Sequence, residues 1–540
     1  MLLVTFLLAF PDVLYYALNR NWLEAGLAYA ICTAVVALPL YLFHRWVKLY
    51  VWLLMPLGLL AVVSVACVIV YNVNLNFDVL LVIRNTTFAE ATELLKGYYL
   101  YILAALLFYL FFYAQLIRWS PNYIPSRPAL LASLGGLAFL LLTPLLRAKP
   151  GTYVEQVKIN ISSFFPGSMY YAGKLLVQQH ATVKAFADNT KNFTFHAQPK
   201  SKPEERQIYV LILGETSRYD HWGINGYARP TSPRLATRQQ QLVSFSNMST
   251  GAYLTEYSVP MLVTRATATN YDLHYQEKSV VSLFRESGFK TYWLSNQFDY
   301  GNIGIHANEA ETRLYFSSAY ESTKSVHYDL ELLGALKKIL DKGESKAFIV
   351  LHTLGSHYDY DARYPPAYAH FQPTARSVNA RPTDVTKKQA LINSYDNSIR
   401  YTDALVDSTI RMVERQPALS WVNYLSDHGE ELFDDSRQQS QHGFPVPSIF
   451  VAHIPWFVWL SPDYRRTFPR RLADMEQNKN VALGSQNVFY TLADLGNIRF
   501  TGQDSTKSAA AAQLKPQPQL ILGGNYKVFD VQNFITPAKP

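Results

Sequence analysis

The first 150 residues contain five long apolar segments, and these constrain the fold more than any other feature of the chain. Each is close to the roughly 20 residues that a helix needs to cross the hydrocarbon core of a bilayer. A buried helix of a soluble protein would explain one such segment, but five in succession predict a membrane domain. The first lacks a basic N-terminal region and a small-residue cleavage site, so it is interpreted as a span and not as a signal peptide. The segments cover residues 1–18, 23–43, 49–72, 97–117 and 128–146.

The sequence predicts three parts: a transmembrane domain over 1–150, a linker over 151–203 and a soluble domain over 204–540. Residues 73–96 form a loop between two spans, in which the run TTFAEATELLKG predicts a short helix. The linker mixes aromatic, basic and apolar residues, as in a helix that lies flat on a bilayer or in an ordinary connecting helix. Loop charges do not decide the orientation of the spans.

Charge and cysteine content exclude some classes of partner and site. The net charge is +8, but no basic run with interleaved aromatic residues is present, so we expect attraction to anionic lipid and no nucleic-acid binding. The two cysteines, Cys32 and Cys67, both lie in apolar segments. The soluble domain therefore has neither a disulfide nor a thiolate metal site.

The soluble domain shows short apolar runs that alternate with helical stretches such as 326–342 and 386–415. The runs are continuously apolar, which is typical of strands buried on both faces of a sheet. This pattern predicts an α/β domain with a mostly parallel central sheet. The predicted strands cover residues 207–213, 291–296, 347–353, 421–426 and 455–461.

Polar residues that could take part in catalysis or metal binding follow four of these strands. In an open parallel sheet, sites form outside the carboxyl ends of the strands, so we expect these residues at one shared edge. Two carboxylates and an imidazole there suit Zn²⁺ or Mn²⁺. The residues at the predicted edge are Glu215, Asn296, Gln297, His357, Asp427 and His428, with His442 within reach.

A metal site of this kind also needs a nucleophile close by. A threonine or serine hydroxyl is a weak nucleophile until a metal or a base lowers its pKa. Composition does not choose among the five candidates, which are Thr216, Ser217, Thr250, Thr255 and Ser258.

Six motifs occur in a fixed order and carry a family resemblance. They read GETSRYDHWGINGYARPTSPRL, LTEYSVPML, WLSNQ, GSHYDYDARYP, SDHGEEL and QHGFP. Together with the five N-terminal spans, they resemble the phosphoethanolamine transferases of Gram-negative envelopes. These are membrane-anchored members of the alkaline phosphatase and sulfatase superfamily. The resemblance covers nearly the whole chain.

The resemblance implies a role for each matching residue. Thr255 matches the nucleophile, which also touches the metal. Asn296 and Gln297 match more weakly than the others. The implied zinc ligands are Glu215, Thr255, Asp427 and His428, and the implied substrate-binding residues are His357, His442, Asn296 and Gln297.

The resemblance also implies a reaction and a location. Phosphoethanolamine passes from phosphatidylethanolamine to a lipopolysaccharide, in its core or lipid A part, or to a related periplasmic glycan, through a covalent phospho-threonine. One zinc ion is implied, a second is left open, and Mn²⁺ is the alternative. The chain is expected to be a monomeric, multi-pass protein of the bacterial inner membrane with its catalytic domain in the periplasm.

One departure from the family pattern bears on the acceptor. Members that modify lipid A usually carry a disulfide that flanks the nucleophile, and the flanking positions here are Gly251 and Met261. The chain therefore resembles disulfide-free members that act on the lipopolysaccharide core or on periplasmic glucans.

Three other functions compete with this interpretation. A sulfatase-like hydrolase needs Cys or Ser in a C/S-x-P-x-R context, and TEYSVPMLVTR has Ser258 and Pro260 but no arginine at that spacing. A phosphoglycerol transferase shares the superfamily fold and a five-span anchor and differs mainly in its donor. A non-enzymatic scaffold domain would purify without stoichiometric zinc.

Overall fold

The computed structural model describes residues 2–42, 44–71, 73–86, 91, 98–119, 127–147, 153–201, 203–298, 301–316 and 327–534. The chain forms two compact units, the first ending at Gln179 and the second beginning at His180. The second unit contains every candidate site residue named above.

The first unit is helical, and every predicted apolar segment forms a helix in its described part. A π-helical turn, Thr33–Ala37, joins the second helix to the third. The helices are α1 Leu2–Leu18, α2 Trp22–Cys32, α3 Leu38–Leu42, α4 Val47–Tyr71, α5 Phe77–Asn85, α6 Tyr99–Trp119, α7 Arg127–Arg147, α8 Tyr153–Ser163 and α9 Gly167–Thr190, the last of which extends past the end of the unit at Gln179.

Two of these helices are long and apolar enough to cross a membrane, namely Val47–Ile69 and Tyr99–Trp119. The apolar parts of α1, α2 and α7 are shorter, so the predicted count of five spans stays a prediction. Large apolar side chains such as Leu100 and Phe108 are exposed on α6. Such a surface is unfavourable in water and favourable in lipid, which supports a membrane location.

The helix predicted from TTFAEATELLKG lies outside the described residues except for Thr86 and Ala91. The described helix of this loop is α5, just before that run. Its N-terminus is capped by Asn76, whose side chain accepts a hydrogen bond from the backbone of Val79 at 3.0 Å.

The second unit is built on one seven-stranded sheet. Along the chain its strands are β1 Gln207–Gly214, β2 Leu242–Ser244, β3 Lys290–Ser295, β4 Thr312–Tyr315, β5 Lys346–His352, β6 Leu419–Ser426 and β7 Trp456–Leu460. Their order in the sheet is β2-β7-β6-β1-β5-β3-β4.

The sheet is mixed. Its four pairings from β6 to β4 are parallel, and the two pairings of β7 are antiparallel. The chain leaves β6 at its carboxyl end and enters β7 from that same edge, so β7 must run in the opposite direction. The fifth predicted strand thus belongs to the sheet but not to its parallel part.

Helices and hydrophobic cores cover both faces of the sheet. Tyr209 and Leu211 of β1 enter one core, and Ile208 and Val210 enter the other. Because both faces are covered, the strands read as continuous apolar runs. The helices are α10 Pro233–Ala236, α11 Thr255–Val263, α12 Val280–Glu286, α13 Gly301–Ala307, α14 Leu332–Leu340, α15 Lys388–Glu414, α16 Ile449–Ala452, α17 Pro462–Thr467, α18 Pro469–Asn478 and α19 Ser485–Leu495.

Four short strand pairs lie outside this sheet. They are Gln198–Pro199 with Ile498–Arg499, Met248–Ser249 with Leu483–Gly484, Glu431–Leu432 with Ser440–Gln441, and Leu520–Leu522 with Val528–Asp530.

Candidate active site and metal centre

The site begins where the central strands β1 and β6 end side by side. The two strands are parallel and in register, with Gly214 opposite Ser426. Glu215 and Asp427 are the next residues of each strand, so the register brings the two carboxylates to the same height at the carboxyl edge. His428 follows directly, and all three side chains are buried.

The three side chains converge on one point. One ligand atom from each of Glu215, Asp427 and His428 lies within 4.8 Å of the other two. His428 Nε2 is 3.4 Å from Glu215 Oε1 and 3.2 Å from Asp427 Oδ2. On the other side of the ring, Nδ1 lies 2.9 Å from the carbonyl oxygen of Gly429, so Nδ1 carries the proton. The unprotonated Nε2 therefore faces the carboxylates, as in a metal-binding histidine.

The two carboxylate oxygens of Asp427 differ in their hydrogen bonding. Its Oδ1 accepts hydrogen bonds from the backbone N–H of Thr216 at 2.9 Å and of His428 at 2.7 Å. Its Oδ2 is buried and has no hydrogen-bond partner among the described residues. A buried carboxylate oxygen of this kind is costly unless a cation binds it. Two carboxylates and one imidazole that converge in this way fit Zn²⁺.

Burial perturbs the pKa of each member of this cluster. It raises the pKa of Asp427 to about 6. It also raises the pKa of Glu215, and the nearby negative charge of Asp427 adds to the increase. Burial, reinforced by the neighbouring His442, lowers the pKa of His428 to about 4. The carboxylates repel each other and the imidazole stays neutral, so a divalent cation offsets the unfavourable charge.

Thr255 is the hydroxyl that meets this cluster. It is the first residue of α11, and its Oγ1 donates toward the two carboxylate oxygens of Glu215, each at 3.1 Å. The same oxygen lies 3.2 Å from His428 Nε2. Thr255 is partly exposed, whereas Glu215, Asp427 and His428 are buried.

The other four candidate hydroxyls are buried. Thr216 donates to Glu215 Oε1 at 2.6 Å, and Thr250 donates to the carbonyl oxygens of Asp427 and Ala252. Ser217 accepts a hydrogen bond from the Trp222 indole at 2.8 Å. Ser258 has no partner among the described residues. The structure therefore favours Thr255 over the alternatives that composition left open.

Two further histidines stand beside the cluster. The ring centroid of His442 is 4.2 Å from that of His428 and 5.8 Å from that of His357. His442 Nδ1 is 2.7 Å from Glu430 Oε2, and His357 Nδ1 is 2.8 Å from the carbonyl oxygen of Tyr358. Both rings thus have their Nδ1 engaged away from the cluster. Their predicted contact with the donor stays a prediction.

Sequence reasoning did not single out Glu430, although it lies inside the motif SDHGEEL. Its carboxylate accepts a hydrogen bond from the Tyr360 hydroxyl at 2.6 Å and pairs with His442. Burial raises the pKa of Glu430 to about 8 and lowers the pKa of His442 to about 3. The signal was present in the motif, but an acid next to two stronger ligand candidates was not assigned a role.

Asn296 and Gln297, predicted to contact substrate, lie directly after β3. Gln297 Nε2 donates to Glu215 Oε2 at 3.0 Å. Asn296 Nδ2 donates to Asp329 Oδ1 at 2.8 Å. Asp329 is a second residue that sequence reasoning missed, because it lies far from the predicted strand ends. Substrate binding by Asn296 and Gln297 stays a prediction.

The backbone geometry at the carboxyl edge of the sheet explains why residue 355 is a glycine. Gly355 has a φ of +51°, and a Cβ at this position would lie 2.5 Å from the backbone oxygen of Glu215. The backbone N–H of Ser356 donates to that oxygen at 3.0 Å. The loop after β5 can approach Glu215 this closely only because residue 355 has no side chain.

The two positions that flank the nucleophile face each other. A Cβ on Gly251 would lie 2.8 Å from Sδ of Met261. These are the positions at which the family resemblance implies a disulfide in lipid A-modifying members, and neither is cysteine here.

Comparison with known proteins identifies the class. Residues 207–498 match the sulfatase family model, and the chain belongs to the sulfatase family. Proteins similar to this chain include several phosphoethanolamine transferases, which confirms the resemblance that the six motifs carry.

Three curated relatives illustrate the similarity. Phosphoethanolamine transferase EptC of Escherichia coli (strain K12) is 25% identical over 514 residues, covering 91% of this chain and 87% of that protein. Phosphoethanolamine transferase CptA of Salmonella typhimurium is 25% identical over 540 residues, covering 94% and 90%. Phosphoethanolamine transferase EptA of Salmonella typhimurium is 30% identical over 313 residues, covering 56% and 55%.

Two solved structures are similar to this one. The C-terminal periplasmic domain of Escherichia coli EptC, in complex with Zn, is 25% identical with a TM-score of 0.57 and covers 63% of this chain and 96% of that one. The integral membrane protein lipooligosaccharide phosphoethanolamine transferase A (EptA) from Neisseria meningitidis is 22% identical with a TM-score of 0.72, covering 96% and 98%. The second match shows a shared fold over nearly the whole chain.

Proposed function

We propose that this chain transfers phosphoethanolamine from phosphatidylethanolamine to a lipopolysaccharide or a related periplasmic glycan. The observation that carries the proposal is the position of the Thr255 hydroxyl, within 3.2 Å of atoms of both Glu215 and His428. A hydroxyl at a mixed carboxylate and imidazole cluster is what a phosphoryl transfer through a covalent intermediate requires. The phosphoethanolamine transferases among the relatives support the choice of the transferred group.

The metal in this proposal is Zn²⁺, held by Glu215, Asp427, His428 and the Thr255 hydroxyl. The orphan oxygen of Asp427 and the unprotonated Nε2 of His428 support this ligand set. The periplasmic domain of the relative EptC was crystallised in complex with Zn, which supports the choice of metal. When bound, zinc lowers the pKa of a hydroxyl that it touches and neutralises charge on phosphoryl oxygens.

In the first half of the reaction, Thr255 Oγ1 forms a bond to the phosphorus of phosphatidylethanolamine. The bond between phosphorus and the glycerol oxygen breaks, and diacylglycerol leaves with the proton that the threonine hydroxyl has lost. His357 and His442 stand beside the cluster, where their rings stabilise negative charge on the phosphoryl oxygens. Phosphoethanolamine then remains attached to Thr255.

In the second half, an acceptor hydroxyl attacks the same phosphorus. The bond from phosphorus to Thr255 Oγ1 breaks, the acceptor proton returns to the threonine, and the free enzyme is restored. Glu430 holds His442 through Nδ1 during both halves, so the orientation of that ring does not change.

We further propose that the chain is a multi-pass protein of the bacterial inner membrane with five spans and a periplasmic catalytic domain. The donor never leaves the bilayer, so an anchored enzyme keeps the site near its substrate. Two helices of spanning length and the exposed apolar residues of α6 support this location. The fold shared with an integral membrane relative supports it as well.

The surroundings of the nucleophile support a preference among the possible acceptors. Gly251 and Met261 stand where lipid A-modifying members are expected to have a disulfide, which favours the lipopolysaccharide core or a glucan over lipid A. A sulfatase-like hydrolase remains the second candidate because the sulfatase family model matches. The serine that such an enzyme would use, Ser258, is fully buried, which disfavours that function.

The proposal is tested with the Thr255→Ala variant of the full chain. We expect the variant to fold and to lose labelling by phosphoethanolamine, measured by intact-protein mass spectrometry after incubation with phosphatidylethanolamine. Thr409→Ala is the matched control, since Thr409 is a buried threonine of α15 without a hydrogen-bond partner among the described residues. Full labelling of Thr255→Ala would disprove the proposal that Thr255 is the nucleophile.

Mass spectrometry of envelope glycolipids and glucans, with and without the gene, identifies the acceptor. An added group that contains nitrogen supports phosphoethanolamine transfer. An added glycerol phosphate would instead establish a phosphoglycerol transferase.

A further inference from the structure

Ser295 is the last residue of β3, Asn296 and Gln297 follow it directly, and each of the three makes a different contact. Ser295 Oγ donates to the carbonyl oxygen of Gln297 at 2.9 Å and accepts from the backbone N–H of Gln297 at 3.0 Å. This small turn holds the backbone of Gln297 in one position. The side chain of Gln297 then extends from a fixed base.

The amide of Gln297 is oriented by two acceptors. Its Nε2 lies 3.0 Å from Glu215 Oε2 and 2.8 Å from the carbonyl oxygen of Thr353. Since neither of these atoms can donate a hydrogen bond, the nitrogen of the amide, and not its oxygen, must face them. Gln297 therefore holds Oε2 of the Glu215 carboxylate. His428 Nε2 approaches the other oxygen, Oε1, and Thr255 Oγ1 lies 3.1 Å from both.

Asn296 connects this strand end to the next loop through Asp329. The carboxylate of Asp329 accepts from Asn296 Nδ2 at 2.8 Å and from the backbone N–H groups of Leu354 and Gly355, each at 2.9 Å. Asp329 is buried, and hydrogen bonds in the protein interior are stronger than in water. These three hydrogen bonds therefore tie Asn296 and the backbone of Leu354 and Gly355 to the carboxylate of Asp329. The loop that Asp329 holds is the one whose Gly355 and Ser356 press against the backbone of Glu215.

We propose that Gln297 and Asp329 are positioning residues for the metal ligand Glu215, and that Gln297 does not contact the donor. This inference rests on the proposed metal site. Gln297 holds the carboxylate of Glu215, and Asp329 holds the loop against its backbone, so side chain and backbone are restrained from two directions. Partners of this kind orient a ligand before the metal arrives and thereby raise metal affinity. The role differs from the predicted substrate contact, and the two make opposite kinetic predictions.

The test measures zinc affinity and the KM for phosphatidylethanolamine with the full chain in detergent micelles. Gln297→Met keeps the length of the side chain and removes both hydrogen bonds. We expect its zinc affinity, measured by competition with a chelating dye, to fall about 10- to 100-fold. At saturating zinc, we expect its KM for phosphatidylethanolamine to stay unchanged.

Asn478→Leu is the matched control. Asn478 is also a buried amide, and its Nδ2 donates to the carbonyl oxygens of Ala509 at 3.0 Å and Ala511 at 2.9 Å, at the C-terminal end of α18. Like Gln297→Met, the control removes two hydrogen bonds that an amide nitrogen donates, but it does not touch Glu215. We expect it to lower the melting temperature while zinc affinity stays unchanged.

Asp329→Asn keeps the test decisive if Gln297→Met does not fold. It weakens the hold on Gly355 without altering the contact between Gln297 and Glu215, and we expect zinc affinity to fall several-fold. Unchanged zinc affinity in either folded variant, or a raised KM at unchanged affinity in Gln297→Met, would overturn the inference alone. Absence of zinc binding by the unmodified chain would overturn the metal site and this inference together.

Discussion

The Thr255 hydroxyl lies 3.1 Å from each carboxylate oxygen of Glu215, although the two residues are 40 positions apart in the chain. Glu215 directly follows the central strand β1 and Thr255 begins α11, so the contact joins the edge of the sheet to a helix N-terminus. The positive end of the helix dipole favours negative charge on the threonine oxygen. This pair defines the point at which we expect phosphoryl transfer.

Replacement of Asp427 by Asn is expected to abolish stoichiometric zinc binding. The Asn side-chain oxygen can still accept from the backbone N–H groups of Thr216 and His428. Its NH₂ group, however, takes the place of Asp427 Oδ2, the oxygen proposed to bind the metal, and cannot bind a cation. Metal content after dialysis, measured by plasma mass spectrometry, should fall from about one ion per chain, as expected for a site that holds a single zinc ion, to near zero. Transferase activity should fall with it.

Asp403→Asn is the control for that experiment. Asp403 is another buried carboxylate, and it accepts from the backbone N–H groups of Arg234 and Leu235 at 3.0 and 2.9 Å. We expect this variant to retain zinc and activity. Equal zinc content in Asp427→Asn and Asp403→Asn would contradict the proposed ligand set.

The His442→Asn variant should separate phosphoryl binding from metal binding. The His442 ring centroid lies 4.2 Å from that of His428, but His442 is not among the proposed ligands, so zinc content should stay unchanged. Loss of a ring that stabilises transition-state charge should lower kcat by about 10²-fold. His453→Asn is the control, because His453 Nε2 lies 3.0 Å from the backbone oxygen of Ser246, which is not a proposed zinc ligand. Loss of zinc from His442→Asn would instead make His442 a metal ligand.

The Gly355→Ala variant tests whether the loop after β5 positions Glu215. Alanine at a φ of +51° costs roughly 1–2 kcal/mol, and its Cβ would collide with the backbone of Glu215. We expect activity to fall by more than about 10-fold, since a 1 Å displacement at a catalytic group can cost 10²-fold.

Gly288→Ala is the matched control for the backbone cost. Gly288 has a φ of +87°, and a Cβ there would have no atom within 4 Å. We expect this variant to be destabilised with its activity unchanged. Equal activity in both alanine variants, assayed at a temperature where both are folded, would show that the close approach at Glu215 is unimportant.

The buried carboxylate of Asp403 also predicts that the free energy of unfolding depends on pH. Burial raises the pKa of Asp403 to about 7, above its value in the unfolded chain. The stability linked to this protonation is present at low pH and is lost as pH rises through about 7. The melting temperature of Asp403→Asn relative to the unmodified chain should therefore rise between pH 5.5 and 8.5. A difference that is independent of pH would contradict the raised pKa.

Strand periodicity predicted much of the catalytic domain. Continuous apolar runs located β1, β3, β5, β6 and β7, because a strand covered on both faces has no polar side. The same reasoning placed Glu215, Asp427 and His428 at one edge. It did not predict the reversed direction of β7, because an apolar run carries no information about the direction in which a strand enters the sheet.

The residues that support the site were harder to predict than the ligands. Glu430 contacts His442, and Asp329 contacts the loop at Gly355. Neither acid has a recognisable sequence spacing to the residue that it contacts. A buried carboxylate acquires its role from the donors that the fold brings to it.

The sequence by itself determined the apolar segments, the α/β pattern, the motifs and the chemical types of the candidate ligands, since these depend on local composition and periodicity. Only the tertiary structure decided which of five hydroxyls meets the ligands and which amide holds Glu215. Those contacts join segments that are 40 and 82 residues apart along the chain. Their distances depend on strand order and register, which the whole packed domain determines at once.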